Sequence, residues 1–296
     1  MDSGFGGCGG DKMQQIESRA DNKKKELDGA LASMKRVIIA FSGGVDSTFL
    51  LAEAARVLGP QNVLAVTGFS ASMPGNELQE AVNFTKGLGV EHQIIHTEEL
   101  KDPLYVSNSG DRCYHCRKEL LRKLDEVKKE RGFGHIIYGA VSDDLDDHRP
   151  GMRAAKESGA SAPLMQAGLT KEEIRILSRE MGLPAWDKPA SPCLASRIPY
   201  GTPISEAALK QVEKAEYLMR NELGIREIRV RHHGQIARIE TSVNEFERLL
   251  STPVRKRIVE YFKGLGFSFI SLDLEGFRSG RMNEALLHIP EKQERD

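Results

Sequence analysis

The sequence predicts an α/β protein, with a doubly wound parallel sheet followed by a smaller C-terminal α+β domain. Over about the first 200 residues, short apolar runs alternate with helix-like segments, which is typical of βαβ units. After Tyr200 the pattern changes, because two strand-like runs flank the turn H-H-G-Q at 232–235 and predict an antiparallel hairpin. We expect a flexible tail and a helix at 1–34, the parallel sheet at 35–202, and the α+β domain at 203–296.

The individual elements follow from apolar periodicity. The glycine-rich residues 1–11 predict a flexible tail, and the charged stretch 12–34 predicts a helix with a thin apolar stripe. Predicted strands lie at 36–41, 63–67, 91–96 and 135–139, and predicted helices at 47–58, 76–88, 113–131 and 171–181. Thr170 and Glu173 form a capping box at the start of the last of these helices. The second domain predicts a helix at 205–222, strands at 225–231, 236–240 and 267–272, and two short helices before the last strand.

Composition limits the class of protein. The chain has 296 residues and 40% hydrophobic residues, which is enough for one large or two ordinary domains with real cores. Its net charge of −1 gives no basic excess for nucleic-acid binding, and no apolar run is long enough to predict a membrane span. We therefore expect a cytoplasmic protein that binds neither nucleic acid nor a membrane. In a reducing compartment, the four cysteines favour metal binding or catalysis over disulfides.

The strongest motif is S-G-G-V-D-S, which directly follows the first predicted strand and opens a helix. Its glycines allow the backbone to approach an anion, and its N–H groups at a helix N-terminus are suited to phosphate. Its hydroxyls add donors, and its aspartate is a candidate Mg²⁺ ligand. The predicted phosphate-binding residues are Ser42, Gly43, Gly44, Val45, Asp46 and Ser47. The alternative is an ordinary glycine-rich turn, and the absence of G-K-[ST] excludes a Walker loop.

Further nucleotide contacts are expected just past the other strands, because ligands bind at the carboxyl ends of parallel strands. These candidates are Phe69, Ser70, Gly139, Asp143, Asp144 and Arg149. Asp143, Asp144 and Asp147 are of the type that binds a metal ion, and Arg149 suits a phosphate or a carboxylate. The alternative is a solvated acidic loop.

The cysteines form a second candidate centre. Cys113 and Cys116 have C-x-x-C spacing at a predicted helix start, and Cys193 lies in the proline-rich stretch D-K-P-A-S-P-C-L-A-S-R-I-P-Y-G. One C-x-x-C pair is an incomplete metal site, so a third ligand is required. Zinc, an iron–sulfur cluster, a redox pair and two inert thiols all remain open at this point, whereas Cys8 in the tail is expected to be irrelevant.

The phosphate motif resembles the PP-loop of the ATP pyrophosphatases, also called adenine nucleotide α-hydrolase-like proteins. Together with D-D-L-D-D-H-R-P-G, G-L-T-K-E-E-I-R, the stretch around Cys193 and I-R-V-R-H-H-G-Q-I-A-R-I-E, it resembles the LarE family over about residues 35–290. That family consists of ATP-dependent sulfur transferases of nickel-pincer cofactor biosynthesis. The resemblance implies adenylation of a carboxylate of a pyridinium dicarboxylate mononucleotide by Mg²⁺ and ATP, followed by conversion to a thiocarboxylate.

The resemblance also suggests two sources of sulfur. In sacrificial members a cysteine matching Cys193 becomes dehydroalanine. Members with three cysteines are thought to hold a 4Fe–4S cluster, and this chain resembles them through Cys113, Cys116 and Cys193. We therefore favour the cluster over sacrifice.

Charged residues of the second domain complete the set of candidates. Ser196 and Arg197, just after Cys193, are expected to hold a phosphate or carboxylate of the substrate. Arg229 and Arg231 share one strand face, and Glu240 lies on the facing strand. The resemblance suggests a phosphate or cation site here, with Glu240 as a cation ligand, at a contact between subunits of a homo-oligomer. The alternative is a set of cross-strand ion pairs.

Three other functions remain as alternatives. A PP-loop tRNA thiolase is disfavoured by the net charge of −1, and an amide-forming ligase of the NAD synthetase type does not need three cysteines. The third is a non-catalytic sensor of nucleotide or cluster.

Overall fold

The computed structural model describes residues 8–145, 150–189 and 191–278, with side chains from residue 16 onward. Its strands are β1 (Val37–Ala40), β2 (Val63–Phe69), β3 (Glu91–His96), β4 (His135–Tyr138), β5 (Ile228–His233), β6 (Ile236–Thr241) and β7 (Phe269–Leu272). Its helices are α1 (Cys8–Met34), α2 (Val45–Leu58), α3 (Gly75–Leu88), α4 (Pro103–Val106), α5 (Arg112–Arg131), α6 (Pro150–Glu157), α7 (Pro163–Gln166), α8 (Lys171–Glu180), α9 (Glu206–Tyr217), α10 (Phe246–Leu250) and α11 (Thr252–Gly264).

The chain divides into two compact units, each assembled from separated segments. The described residues of the first unit lie within Met1–Ser70, Gly75–Thr97 and Cys116–Ser191. Those of the second unit lie within Ala71–Pro74, Glu98–His115 and Pro192–Asp296.

The first unit is built on a parallel sheet with the strand order β3-β2-β1-β4. All four residues of β1 are buried, as expected for a central strand made of Val, Ile and Ala. Helices α1, α2 and α8 pack together beside it, and apolar side chains such as Leu27, Phe49, Leu51 and Ile174 form the core. The predicted α/β class with a parallel sheet is confirmed.

The second unit contains an antiparallel pair, β5 and β6, to which β7 adds in parallel. The predicted hairpin turn is present, and Gly234 adopts a φ of 63° in it, a conformation that favours glycine. Helix α9 packs on β5, and Phe262 and Phe267 are buried in the core of this unit.

Two sequence predictions of element bounds are wrong. The helix predicted at 12–34 begins earlier, because α1 starts at Cys8 and includes residues 8–11 of the predicted tail; glycine costs a helix only about 1 kcal/mol per residue. The second is the helix predicted for 205–222. Its α-helical part is α9, which ends at Tyr217, and a π-helical turn follows at Leu218–Glu222. None of the described helices combines the length and the apolar character needed to cross a bilayer.

Candidate active site

The phosphate loop connects β1 to α2 in the first unit. The hydroxyl oxygens of Ser42 and Ser47 lie 3.1 Å apart, and the Ser47 hydroxyl donates to the Gly44 carbonyl at 3.1 Å. Gly43 has a φ of 73°, a left-handed conformation that only glycine adopts without strain. The hydroxyls and the first N–H groups of α2 thus form the donor set that an anion needs.

The remaining loop residues begin the helix. Val45 is the first residue of α2, and Asp46 lies in the first turn of this helix. A phosphate is expected to bind at the N-terminus of a helix. The Asp46 carboxylate is therefore near the expected phosphate position. Ser47 is only 4% exposed, so its hydroxyl is held inside the loop, whereas Ser42 is exposed.

Gly139 lies just after β4, and its lack of a side chain allows the backbone there to pack directly against the phosphate loop. A Cβ atom built on Gly139 would lie 2.8 Å from the Ser47 nitrogen and 2.9 Å from the Asp46 carbonyl carbon. Both are backbone atoms, and real Cβ atoms do not approach backbone so closely. Gly139 is therefore a packing requirement of the phosphate loop.

Phe69, at the end of β2, packs edge-on against His96, with 5.6 Å between ring centroids, and Ser70 follows it.

The two aspartates after β4 brace their own loop. Asp143 accepts a hydrogen bond from the Lys171 backbone N–H at 2.8 Å, at the start of α8. Asp144 accepts from the Val141 N–H at 3.2 Å and lies 3.1 Å from the Lys171 ammonium. These contacts indicate that the two aspartates support the loop, which disfavours a metal site, and Asp144 is buried rather than solvated. Asp147 and Arg149 lie outside the described residues.

Lys188 contacts the phosphate loop, although the sequence did not predict this. Its ammonium lies 3.3 Å from the Gly43 carbonyl oxygen, 2.5 Å from Glu77 and 2.8 Å from Glu80. Burial by itself lowers the pKa of Lys188, but the two carboxylates outweigh it and raise that pKa above its ordinary value. The only available signal was its place in the stretch around Cys193.

In the second unit, Asn108 ties the segment before Cys113 to the segment after Cys193. Its amide nitrogen lies within 3.2 Å of the carbonyl oxygens of Ile198, Pro199 and Thr202. Its amide oxygen accepts a bond from Arg112, the residue that precedes Cys113. Asn108 is fully buried and has a φ of 56°, a left-handed conformation that asparagine tolerates better than most residues.

Cys193 itself is exposed and precedes the short 3₁₀ turn at Leu194–Arg197. The N–H of Leu194 donates to the Ser72 carbonyl at 2.8 Å, which fixes the backbone beside the thiol. Cys113 is exposed and Cys116 is half-buried, one turn apart on α5, and each of the three cysteines is a thiol rather than half of a disulfide. Within the part of the chain that the structure describes, no three His, Cys, Asp or Glu side chains lie close enough to bind a metal ion.

Arg197 is a buried support of the turn after Cys193. Its side chain is 0% exposed and forms a two-pronged ion pair with Glu216, at 2.8 and 3.0 Å. Its remaining nitrogen donates to the Pro192 carbonyl at 2.6 Å and to the Ser196 hydroxyl at 2.8 Å. The guanidinium therefore contacts protein groups on each side. Sequence reasoning missed Glu216, because nothing local to α9 marks it.

The arginines of β5 extend this charged region. Arg231 donates to the Ser196 carbonyl at 2.7 Å and to Glu240 at 2.7 Å, and Arg238 donates to the other oxygen of Glu240 at 3.0 Å. Glu240 is fully buried, so these two guanidinium groups already balance its charge. This arrangement matches the ion-pair alternative for Glu240.

Arg229 is the most perturbed of these groups. It is 7% exposed, and burial together with the charges of Arg197, Arg220 and Arg231 lowers its pKa to about 10, against a smaller opposite effect of Glu216. Burial is the largest cause, because it disfavours the charged form, and the neighbouring arginines add to it. An anionic ligand at this position would offset both effects.

Comparisons with known proteins identify a matching family model and several similar proteins. A family model described as NAD synthase matches residues 17–126. An uncharacterized protein of Synechocystis sp. is 39% identical over 266 residues, covering 90% of this chain and 98% of the relative. The pyridinium-3,5-bisthiocarboxylic acid mononucleotide synthase of Lactiplantibacillus plantarum is 38% identical over 264 residues, covering 89% of this chain and 95% of that enzyme. An uncharacterized protein of Methanocaldococcus jannaschii is 26% identical over 245 residues, covering 83% of this chain and 92% of the relative.

The phosphate loop between β1 and α2, the parallel sheet that carries it and the near full-length match to the L. plantarum enzyme agree with one another. They confirm the predicted resemblance and the prediction that the protein is an enzyme. The chain belongs to the LarE family of sulfur transferases, within the PP-loop ATP pyrophosphatases.

Proposed function

We propose that this enzyme adenylates a carboxylate of pyridinium-3,5-dicarboxylate mononucleotide with ATP and converts it to a thiocarboxylate for nickel-pincer cofactor biosynthesis. The observation that carries the proposal is the phosphate loop, with its hydroxyl pair Ser42 and Ser47 at the start of α2, in a chain of this family. We propose that Asp46 holds Mg²⁺ against the phosphates.

Two displacements make up the proposed reaction. A carboxylate oxygen of the substrate attacks the α-phosphorus of ATP, and pyrophosphate leaves with its electron pair. A sulfur nucleophile then attacks the acyl carbon of the acyl adenylate, and AMP leaves with the oxygen that came from the substrate. The helix N-terminus and the hydroxyls would stabilise charge on the phosphates during the first step.

We propose that Arg229 and Arg231 hold the phosphate or the second carboxylate of the substrate. The support is that the two residues alternate on β5 and so share one strand face, that Arg231 donates to the Ser196 carbonyl at 2.7 Å, and that burial and the neighbouring arginines lower the pKa of Arg229 to about 10. Arg197, which is enclosed by Glu216 and the backbone, would then position the turn that carries Ser196 rather than contact the substrate.

Substrate-dependent release of pyrophosphate tests the proposed reaction. The enzyme with Mg²⁺, ATP and the pyridinium dicarboxylate mononucleotide should form AMP and pyrophosphate in equal amounts. The same mixture with nicotinic acid mononucleotide, which has one carboxylate, is the matched control and should react far more slowly. Formation of ADP, or equal ATP cleavage without the substrate, would contradict the proposal.

We further propose that Cys113, Cys116 and Cys193 hold a 4Fe–4S cluster. Thiolates are the soft donors that iron–sulfur clusters take, and Asn108 ties the chain next to Cys113 to the chain after Cys193. No preformed metal site is present among the described residues, so the support for this proposal is the chemistry of the three thiols and the family of the chain. When bound, such a cluster would supply sulfide for the second step.

Intact mass separates the cluster from sacrifice of Cys193. Anaerobically purified enzyme, allowed one turnover, should keep its mass, contain about four iron atoms per chain by the chemistry of this cluster type, and turn over again when sulfide is added. Loss of the elements of H₂S at Cys193 would show that the cysteine is the sulfur donor and would overturn the cluster proposal.

A homo-oligomer and a cytoplasmic location stay predictions from the sequence.

A further inference from the structure

Lys188 occupies a position that the proposed reaction does not yet explain. It lies five residues before Cys193 in the sequence, and its ammonium reaches the Gly43 carbonyl of the phosphate loop at 3.3 Å. Its side chain is 19% exposed and is held by Glu77 and Glu80, both on α3. Lys188 therefore connects three parts of the first unit at the phosphate loop.

The backbone of Lys188 is fixed as well as its side chain. Arg175 on α8 donates to the Trp186 carbonyl at 2.8 Å and to the Lys188 carbonyl at 2.9 Å. A flexible lysine normally loses side-chain entropy when it is placed. Here both ends are held, so the ammonium is preorganised against the loop.

The geometry of the Gly43–Gly44 peptide shows what this contact does. In a trans peptide the C=O and the N–H point in opposite directions. With the Gly43 carbonyl directed at Lys188, the Gly44 N–H points to the other side, where it donates to the Ser42 hydroxyl at 3.4 Å. That bond is longer than the usual 2.7–3.2 Å, so the N–H has capacity for a stronger acceptor.

Gly43 makes this orientation depend on an external support. Its φ of 73° is accessible without strain to glycine, and glycine also has the greatest freedom to leave it. The ammonium contact at 3.3 Å is also longer than the usual range, but its positive charge favours the carbonyl oxygen, so it restricts that freedom and polarises the peptide, which strengthens the N–H as a donor. The contact thus acts on the direction and on the strength of the same N–H group.

We propose that Lys188 is a positioning residue, which holds the Gly43–Gly44 peptide so that the Gly44 N–H faces a nucleotide phosphate. This inference rests on the proposed use of the loop for ATP. It does not require Lys188 to touch the nucleotide.

A matched ion pair in the same unit serves as the control. Lys23 on α1 is 20% exposed and lies 2.7 Å from Glu173, whose side chain is 5% exposed, and neither residue belongs to the phosphate loop. If Lys188 only stabilises the fold, Lys188→Met and Lys23→Met should have the same effects. If Lys188 positions the loop, only its replacement should weaken anion binding.

The experiment is calorimetric titration of the full-length protein and its variants with Mg-ATP, and separately with pyrophosphate. We expect Lys188→Met to weaken both ligands by roughly 10- to 100-fold, which corresponds to one charge-assisted hydrogen bond. Lys188→Arg, which can reach the same acceptors, should recover part of the affinity. Lys23→Met should lower the melting temperature and leave both dissociation constants within about twofold, since it changes no donor of the loop.

Salt separates positioning from simple charge attraction. An effect of the lysine charge at a distance is screened between about 50 and 500 mM salt, whereas loss of an oriented N–H persists. Affinities of Lys188→Met that match those of Lys23→Met, or a weakening that disappears at high salt, would overturn the inference. Wild-type protein that binds neither ligand would overturn the proposed function itself.

Discussion

Replacing Gly139 by alanine should reduce substrate-dependent pyrophosphate release by roughly 100-fold, because a misplacement of about 1 Å in a reacting site has an effect of this size. The new Cβ would lie 2.8 Å from the Ser47 nitrogen and 2.9 Å from the Asp46 carbonyl carbon. Neither backbone atom can rotate away, so the backbone at the start of α2 or just after β4 must shift. Either shift changes the fit between Gly139 and the N–H groups and hydroxyls that we propose bind the phosphates.

The opposite end of β4 provides the control for this variant. Gly134 precedes β4, and a Cβ built on it meets no atom within 4 Å. Gly134→Ala should therefore keep wild-type activity, while Gly139→Ala also loses about 1–3 kcal/mol of stability through overpacking. Rates and unfolding curves measured together decide the matter. Wild-type rates in Gly139→Ala would show that the close approach is not needed for the reaction.

Replacing Arg197 by methionine should lower the free energy of unfolding by about 3–5 kcal/mol, the usual cost of leaving one partner of a buried ion pair alone. Arg197 is 0% exposed and Glu216 is 2% exposed by side chain. Arg220 lies 2.8 Å from Glu216 and compensates part of the lost charge. The expected result therefore lies at the lower end of that range.

The acid range gives this prediction a second readout. Burial alone would raise the pKa of Glu216, but Arg197, Arg220 and the Val230 N–H lower it below the ordinary 4.5. A carboxyl with a lowered folded-state pKa contributes stability above its unfolded pKa and loses it as pH falls through the folded value. Wild-type stability should thus fall as pH drops below 4.5, and Arg197→Met should show a weaker fall.

Urea unfolding between about pH 3 and 7 measures both effects. The control is Arg257→Met, which removes an exposed pair in which Arg257 is 52% and Glu222 is 43% exposed. It should cost less than about 1 kcal/mol at any pH, because solvent screens surface pairs. If Arg197→Met costs no more than Arg257→Met, the buried pair does not support the turn after Cys193.

Much of the first unit could be predicted from the sequence because its signals are local. The alternation of apolar runs and helices predicts the parallel sheet, and S-G-G-V-D-S predicts the phosphate loop at the end of β1. The capping box of Thr170 and Glu173 is present as expected, with the Glu173 N–H donating to the Thr170 hydroxyl at 3.2 Å. The phosphate motif, the capping box and each single apolar run lie within a few consecutive residues.

The residues that sequence reasoning missed act over long separations. Lys188 contacts Gly43 across 145 positions of the chain, and Asn108 contacts Pro199 across 91. Their partners are mostly backbone carbonyls, which every residue has and no motif marks. Arg197 shows the same limit, because its sequence suggested a ligand contact whereas its burial against Glu216 could be seen only in the fold.

The central feature of the proposed reaction is activation of a substrate carboxylate, which attacks the α-phosphorus of ATP and so receives its AMP group. The most direct test uses substrate whose carboxylate oxygens are ¹⁸O, with the enzyme, Mg²⁺, unlabelled ATP and a sulfide source. We expect one ¹⁸O atom in each AMP formed with thiocarboxylate product, because AMP leaves with a substrate oxygen, and none in pyrophosphate. AMP without the label, formed at the rate of product, would mean that ATP reacts with water or another nucleophile and would contradict activation of the carboxylate.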